Sequence, residues 1–179
     1  MIKQKYTRLS RDFFCRDVLE VAPELIGKVL VRKFENGETL RLVINETEAY
    51  RGEEDLGCHA SKGRTSRTEV MYHKGGLVYV YLIYGMYWLL NFTTGRPNHP
   101  QAVLIRGSKE VSGPGRIGRK LKLDKSFYGE DVIISDRLWV EEPEDNNTLT
   151  TQISALPRIG IDYAGNYWSQ KPWRFLESS

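Results

Sequence analysis

Two acidic residues, Glu46 and Glu48, end a run in which apolar and polar residues alternate. Every second side chain of a β-strand lies on the same face, so Leu40, Leu42 and Ile44 share a face that both carboxylates continue unless a bulge intervenes. A carboxylate at the rim of an apolar interior is desolvated and fixed in direction, as a general base must be. A carboxylate that only pairs with an arginine would give the same pattern, and the sequence leaves both interpretations open.

Other chemistry of paired carboxylates fits this spacing less well. The two carboxylates of a glycosidase flank the scissile bond from opposite sides, whereas neighbours on one strand face do not. A metal site would need further ligands, and Cys58, His59 and His73 lack a recognisable ligand spacing. The His-x-Glu and Pro-Cys-x-x-Cys motifs of zinc deaminases are absent. We therefore expect no catalytic metal and no cofactor.

A second group of candidate residues is aromatic and lies in the segment 77–94, which is predicted to form a strand, a tight turn and a second strand. Its members are Tyr79, Tyr81, Tyr84, Tyr87 and Trp88. Aromatic residues at strand spacing belong to a core by default. Tyr84 differs because the adjacent Gly85 places it at the turn, where a side chain is poorly placed to enter its own core. Proteins that bend DNA or extrude a base use such side chains as wedges. Candidate stacking surfaces for an extruded base are Tyr50, His59 and Tyr81.

The rest of the pattern predicts the elements that position these residues. Ser10 caps a predicted short helix that runs through Val18, and Pro23 starts a second helix that ends at Gly27. Two strands between residues 28 and 48 flank Asn36-Gly37, a strong signal for a tight hairpin. Residues 51–76 lack periodicity and are predicted to form a long loop.

A further strand is predicted over residues 102–106, and Ser112-Gly113-Pro114-Gly115 opens a short basic helix that includes Ile117 and Leu121. Residues 1–179 are therefore predicted to form a single domain. Its expected class is α+β, with a curved, mostly antiparallel sheet, flanking helices and a protruding β-hairpin.

Length and composition restrict the class of protein. The 179 residues are enough for one domain with a substantial core. The two cysteines, Cys15 and Cys58, are too few for a disulfide framework or a multi-cysteine zinc site. No apolar run is long enough for a membrane span, and the charged residues 1–5 precede no apolar stretch that would indicate a secretory signal. A cytoplasmic location is expected.

Positive charge is concentrated in two segments. The excess of 26 basic over 23 acidic residues is mild. One cluster contains Lys62, Arg64, Arg67 and Lys74, and the other contains Arg116, Arg119, Lys120, Lys122 and Lys125. This distribution fits one positive face for a nucleic acid, and it equally fits an ordinary solvated surface.

Several long motifs occur in one order between Leu9 and Phe175. They are Leu25-Ile26-Gly27-Lys28-Val29-Leu30-Val31, Glu46-Thr47-Glu48-Ala49-Tyr50, Val78-Tyr79-Val80-Tyr81-Leu82-Ile83-Tyr84-Gly85-Met86-Tyr87, Val103-Leu104-Ile105-Arg106, Ser112-Gly113-Pro114-Gly115, Arg158-Ile159-Gly160-Ile161 and Lys171-Pro172-Trp173-Arg174-Phe175. In this order they resemble the alkyladenine (3-methyladenine) DNA glycosylases of the mammalian type, a family with bacterial members. The resemblance covers nearly the whole chain.

The resemblance implies a repair enzyme whose hairpin enters the minor groove, flips a damaged purine out of the duplex and hydrolyses its bond to the sugar. It implies catalytic roles for Glu48, as the base that activates water, and for Arg106, which helps to hold that water and the carboxylate. The implied base-binding residues are Tyr50, His59, Tyr81, Asn91 and Ile159, and the implied intercalating residues are Tyr84 and Met86.

The same resemblance implies double-stranded DNA with a damaged base as the partner, no obligate protein partner and a monomer. Backbone contacts are expected from Arg64, Arg67, Arg116, Arg119 and Lys120, although residues 59–71 follow the family only in outline. No lysine suggests Schiff-base chemistry, so base release without strand cleavage is expected. Two alternatives stay open: a non-catalytic protein that binds damaged DNA, and a hydrolase of free nucleosides.

Overall fold

A curved antiparallel sheet carries the fold in the computed structural model, which describes residues 6–143 and 152–178. Its described strands are β1 (Tyr6–Arg8), β2 (Val29–Lys33), β3 (Thr39–Arg51), β4 (Val78–Ile83), β5 (Tyr87–Thr94), β6 (Gln101–Ser108), β7 (Leu138–Pro143), β8 (Ile153–Leu156) and β9 (Arg174–Glu177). They pair in the order β1-β7-β2-β3-β6-β5-β4, and β9 pairs with both β3 and β8. The predicted α+β class with an antiparallel sheet is confirmed.

Short helices cover the sheet. They are α1 (Arg11–Phe14), α2 (Val18–Glu24), α3 (Pro114–Lys120) and α4 (Asn166–Ser169), together with the 3-10 helices His59–Lys62, Glu69–Tyr72, Lys125–Phe127 and Asp162–Ala164. Side chains from α1, α2 and α3 share one buried apolar cluster with the sheet; examples are Phe14, Val21, Ile117, Leu90 and Phe92. The predicted hairpin around Asn36-Gly37, the hairpin of residues 77–94 and the basic helix after Gly113 are confirmed.

The predicted bounds of the first two helices are wrong. The first helix ends at Phe14 rather than running through Val18, and the second begins at Val18 with Pro23 inside it. The reason is Asp17, whose carboxylate accepts a hydrogen bond of 3.0 Å from the Leu19 amide. This cap satisfies a free amide of the first turn and therefore fixes the start of α2 five residues before Pro23.

A bulge in β3 decides which of its side chains face the core. The pairing of β3 with β6 is irregular between Ile44 and Thr47. Ile44 and Ala49 belong to the same buried cluster, although regular alternation would put residues at this odd spacing on opposite faces. The sequence predicts that Glu46 and Glu48 continue the face of Ile44 unless a bulge intervenes, and the bulge is present, so they do not continue it.

The long loop between β3 and β4 is confirmed, apart from its two short 3-10 helices. Cys15 and Cys58 are both free. Among the described residues no helix has the length and apolarity to cross a bilayer. Residues 1–5, on which the expectation about a secretory signal rests, lie outside the described part of the chain.

Helix α3 packs very closely against β5, next to the hairpin. A Cβ atom on Gly118 would overlap the carbonyl oxygen of Trp88, and one on Gly115 would lie 2.9 Å from the Tyr87 ring. Only glycine allows this approach of helix backbone to strand backbone. The glycines therefore fix the position of α3 and its basic side chains relative to the hairpin.

We predict that Gly118→Ala destabilises the protein by about 2 kcal/mol or more, because backbone atoms must move to admit the methyl group. Thermal unfolding followed by circular dichroism should show a midpoint lower by roughly 4–8 °C. Lys120→Ala, on the exposed side of the same helix, is the control and should change the midpoint little. An unchanged midpoint for Gly118→Ala would show that the helix is not held at this distance.

Candidate active site

One row of paired residues across the sheet lines a cavity of about 500 Å³. The row runs from Glu48 through Leu104 and Asn91 to Tyr79, each paired with the next across neighbouring strands. Paired residues of antiparallel strands point to the same face. The adjacent row, which consists of Ala49, Val103, Phe92 and Val78, belongs to the apolar core. The sheet thus has a core face and a cavity face, and Glu48 lies on the cavity face.

The side chain of Glu48 is completely buried, and both of its carboxylate oxygens have polar partners. Its Oε1 accepts a hydrogen bond of 2.8 Å from the Ile159 amide and lies 3.4 Å from Nη1 of Arg106. Its Oε2 accepts a hydrogen bond of 2.8 Å from the Tyr50 hydroxyl. Burial raises the pKa of Glu48, while the Arg106 cation, the Ile159 amide and the Tyr50 hydroxyl oppose the rise. The carboxylate is therefore a stronger base than an exposed one and has a fixed direction.

Glu46 has a different environment. Its Oε1 lies 3.2 Å from Nε of Arg106 and 3.0 Å from Nη1 of Arg174 on β9. Glu46 thus holds Arg106, which in turn reaches Glu48. Of the two carboxylates, Glu46 fits the interpretation of a structural ion pair, whereas Glu48 also faces the cavity.

Aromatic side chains form the walls of the cavity. Tyr50, His59, Tyr79 and Tyr81 all line it, and the rings of His59 and Tyr81 have centroids 4.6 Å apart at an angle of 75°. Nδ1 of His59 lies 2.8 Å from the Tyr79 hydroxyl. Burial, reinforced by Arg67 and Lys62, lowers the pKa of His59 to about 4. The imidazole is therefore neutral at physiological pH.

The hairpin tip projects into solvent beside this cavity. Tyr84 is 86% exposed and Met86 is 62% exposed. The Met86 amide donates a hydrogen bond of 3.1 Å to the Ile83 carbonyl, which closes the turn. Tyr84 and Gly85 both have positive φ, 50° and 65°, as the central residues of a type I′ turn do. The tip presents two large side chains that contribute little to the core.

The remaining predicted base-binding residues also line the cavity. Asn91 is buried, and its Nδ2 donates a hydrogen bond of 3.1 Å to the Tyr79 carbonyl. The side chain of Ile159 is half exposed at the cavity wall, and its backbone amide donates the hydrogen bond to Glu48. The structure thus brings together all seven residues predicted for catalysis and base binding: Glu48, Arg106, Tyr50, His59, Tyr81, Asn91 and Ile159.

The predicted backbone-binding cations divide into two groups. Arg116, Arg119 and Lys120, together with Lys122, line a second cavity of about 790 Å³ beside Phe34. Arg119 lies over the Tyr87 ring, 5.1 Å from its centroid, so this basic groove begins next to the turn of the hairpin. On the other side, Arg67 lies 5.1 Å from the centroid of Tyr81, whereas Arg64 is paired with Glu69 at 2.7 Å. Within the described part of the chain, Arg64 is therefore the one of these five predicted backbone-binding residues whose charge is neutralised by an acidic neighbour, Glu69.

Sequence reasoning missed a buried ion pair behind the cavity. Nη1 of Arg158 lies 2.6 Å from Oδ2 of Asp55, and both side chains are completely buried. Neither residue stands in a periodic pattern, and the two are far apart in the chain. The position of Arg158 directly before Ile159 is the one sequence signal that connects this pair with the site.

No group of three His, Cys, Asp or Glu side chains within residues 6–143 and 152–178 is arranged to hold a metal ion. Burial raises the pKa of Cys58 to about 12, so this thiol is protonated at neutral pH. The expectation of no metal and no cofactor remains a prediction.

We predict that the imidazole of His59 titrates near pH 4, well below its ordinary pKa of 6.5. The unfolded state binds the proton more readily than the folded state, so stability falls as pH drops from 6.5 toward 4. Titration of the imidazole carbon by NMR checks the pKa. His59→Gln should reduce the loss of melting temperature across this pH range, and titration of His59 near 6.5 would contradict the description of a desolvated ring.

Comparison with known proteins identifies relatives along almost the entire chain. The sequence model of one family, described as methylpurine-DNA glycosylase, matches residues 12–113 and 108–179. Three relatives carry the name "putative 3-methyladenine DNA glycosylase". The relative from Methanocella arvoryzae is 42% identical, over 96% of this chain and 92% of its own. The relative from Natranaerobius thermophilus is 40% identical, over 94% of each chain. The relative from Sodalis glossinidius is 43% identical, over 94% of this chain and 96% of its own.

Proposed function

The chain belongs to the methylpurine-DNA glycosylase family, and from this premise we propose that it excises alkylated or deaminated purines from duplex DNA. Hydrolysis of the N-glycosidic bond leaves an abasic site. The observation that carries the proposal is the buried, oriented carboxylate of Glu48 at one end of an aromatic cavity. The whole chain, residues 1–179, acts as one glycosylase domain and as a monomer.

Glu48 acts as the general base in this proposal. It takes a proton from a water molecule, whose oxygen attacks C1′ of the sugar as the bond from C1′ to the base nitrogen breaks. The bonding electron pair leaves with the base, so a purine that carries positive charge departs as a neutral molecule. Arg106, 3.4 Å from the Glu48 carboxylate, keeps that carboxylate ionised despite its burial and orients the attacking water.

The cavity suits a flat, electron-poor base. In this proposal Tyr50 and His59 stack on one face of the base and Tyr81 stacks on the other, for which the rings of His59 and Tyr81, 4.6 Å apart and edge to face, have to separate. Aromatic faces attract a cationic ring. Because its pKa is low, His59 is neutral at physiological pH and does not repel a cationic purine, as a protonated imidazole would. Asn91 and the Ile159 segment restrict which base edges fit.

The exposed hairpin tip supports duplex DNA as the partner. Tyr84, with Met86 beside it, is proposed to enter the minor groove and fill the space that the flipped nucleotide leaves. Arg67 and the basic groove formed by Arg116, Arg119, Lys120 and Lys122 would hold the phosphates on either side, and Arg64 would join them only if it released Glu69. A hydrolase of free nucleosides would have no use for the exposed tip.

Base release without strand cleavage is the expected outcome of the reaction. Strand cleavage by this class of enzyme needs an amine that attacks C1′. Among the described residues that line the cavity there is no lysine. The alternative of a non-catalytic binding protein is disfavoured by the cost of burying Glu48, which binding alone does not require.

We predict that Glu48→Gln lowers the rate of base release by about 100-fold or more, because the amide cannot accept the proton from water. The measurement uses a duplex with one alkylated or deaminated adenine and scores alkali-labile sites. Affinity for the same duplex should change little. Glu24→Gln, at an exposed ion pair with Arg16, is the matched control. Binding of damaged duplex by the wild type without base release would instead favour the non-catalytic alternative.

We predict that Tyr84→Ser lowers base release from duplex about tenfold or more, because the vacated space is no longer filled. The same lesion in a single strand should be processed at a nearly unchanged rate. Ile134→Ser is the control, since Ile134 is 80% exposed and lies near the opposite end of β4, where Asp131 pairs with Leu77. An equal loss on single and double strands would contradict the wedge.

A further inference from the structure

We propose that the buried pair of Arg158 and Asp55 is a positioning device for the active site. In this proposal the pair holds the Ile159 amide against Glu48 and supplies a second cation to that carboxylate. The inference rests on the proposed role of Glu48 as the base, and it assigns to two residues outside the predicted site a part in preparing it.

The pair is a tightly built unit. Nη1 and Nη2 of Arg158 donate hydrogen bonds of 2.6 Å and 2.8 Å to the two oxygens of Asp55. The carboxylate also accepts hydrogen bonds from the amides of Arg51, at 3.1 Å, and Gly57, at 2.9 Å. The loop that follows β3 is thereby wrapped around the guanidinium, and a Cβ on Gly57 would lie 3.0 Å from Nη2.

The guanidinium is also held by the sheet and by aromatic rings. Nη1 donates a hydrogen bond of 3.0 Å to the carbonyl of Ala49, the residue between Glu48 and Tyr50. The guanidinium carbon lies 4.9 Å from the ring centroid of Tyr50 and 5.0 Å from that of Trp173. Arg158 therefore packs against the ring of Tyr50, whose hydroxyl donates a hydrogen bond to Glu48.

Chain connectivity transmits this fixation to the site. Ile159 follows Arg158 directly, and its amide donates the 2.8 Å hydrogen bond to Oε1 of Glu48. On the preceding side, the Pro157 carbonyl accepts a hydrogen bond of 2.8 Å from Nε of Arg174. The two residues that precede the Ile159 amide are thus both held, which restricts the direction in which its N–H can point.

Stability alone is a weak reason for such a pair. Two charges that are completely removed from water lose hydration that their attraction only partly restores, and Nε of Arg158 has no hydrogen-bond partner among the described residues. A positioning role explains why a cation is buried here, next to a carboxylate whose ionised form is needed.

Electrostatics give this role a distinct signature. The groups that face Glu48 are Arg106 on β6, Tyr50 on β3, Tyr81 on β4 and Arg158, while Glu46 and Arg174 act on it through Arg106. The positive charges of Arg106 and Arg158 lower the pKa of Glu48 against the effect of burial. Removal of the Arg158 charge should therefore raise the pKa of Glu48. The rate of base release would then begin to fall at a higher pH, because Glu48 must be ionised to act as the base.

The experiment compares two variants. Arg158→Gln removes both the positive charge and the paired N–H donors that bind Asp55, whereas Arg158→Lys retains the charge but not the paired donors. Single-turnover base release at saturating enzyme is measured from pH 5 to 9 on a duplex with one alkylated or deaminated adenine. We expect Arg158→Gln to slow release about tenfold at neutral pH and to shift the acidic limb of the pH–rate profile upward by about one pH unit. Arg158→Lys should slow release but leave this acidic limb at the same pH.

Two further measurements separate the outcomes. Asp131→Asn, which breaks the partly buried ion pair with Arg11 away from the cavity, should lower the melting temperature without moving the limb. The pKa of Glu48 in the free protein, assigned by its loss in Glu48→Gln and followed by carbon NMR, should rise in Arg158→Gln. An unchanged Glu48 pKa and pH limb in Arg158→Gln would overturn the inference, even if the wild type releases base as proposed. A wild type that releases no base would refute the proposed function, and the NMR titration would still decide whether Arg158 acts on Glu48.

Discussion

An ionised carboxylate that is removed from water must find cations and hydrogen-bond donors in the protein, and the carboxylate of Glu48 is completely buried. The compensating groups come from distant parts of the chain: Arg106 from β6, the Ile159 amide from the segment after β8, and Arg158 from the same segment. Only Tyr50 is a neighbour in sequence. The site therefore exists only when β3, β6 and the residues after β8 have all assembled.

The sheet meets this requirement by having two different faces. One row of paired residues packs into the core, and the next row, which includes Glu48 and Asn91, lines the cavity. The bulge between Ile44 and Thr47 lets one long strand serve both purposes, since its first half contributes Leu42 and Ile44 to the core without carrying the acids there too. Rigid strands rather than loops hold most of the site, which suits chemistry that depends on fixed distances.

Sequence reasoning succeeded where the signal is local. The hairpin, with Tyr84 at its tip, follows from β-prone residues around a glycine, and the motif around Glu48 follows from resemblance to a family. It failed where two local preferences compete. Both Asp17, as a cap, and Pro23, as a first helical residue, favour the start of a helix, and in the structure α2 starts after Asp17. It could not locate the bulge, and it could not predict the pairing of Asp55 with Arg158, 103 positions later, because such features leave no periodic pattern in the sequence.

Tyr84 has one consequence for the evolution and engineering of this enzyme. Its φ of 50° lies in a region that a bulky residue occupies at a cost of roughly 1 kcal/mol or more, whereas glycine or asparagine would occupy it readily. Thermostability screens would therefore favour small residues at the hairpin tip, and in doing so would discard the side chain proposed to enter DNA. Selection for a robust fold and selection for repair thus act in opposite directions at this single position.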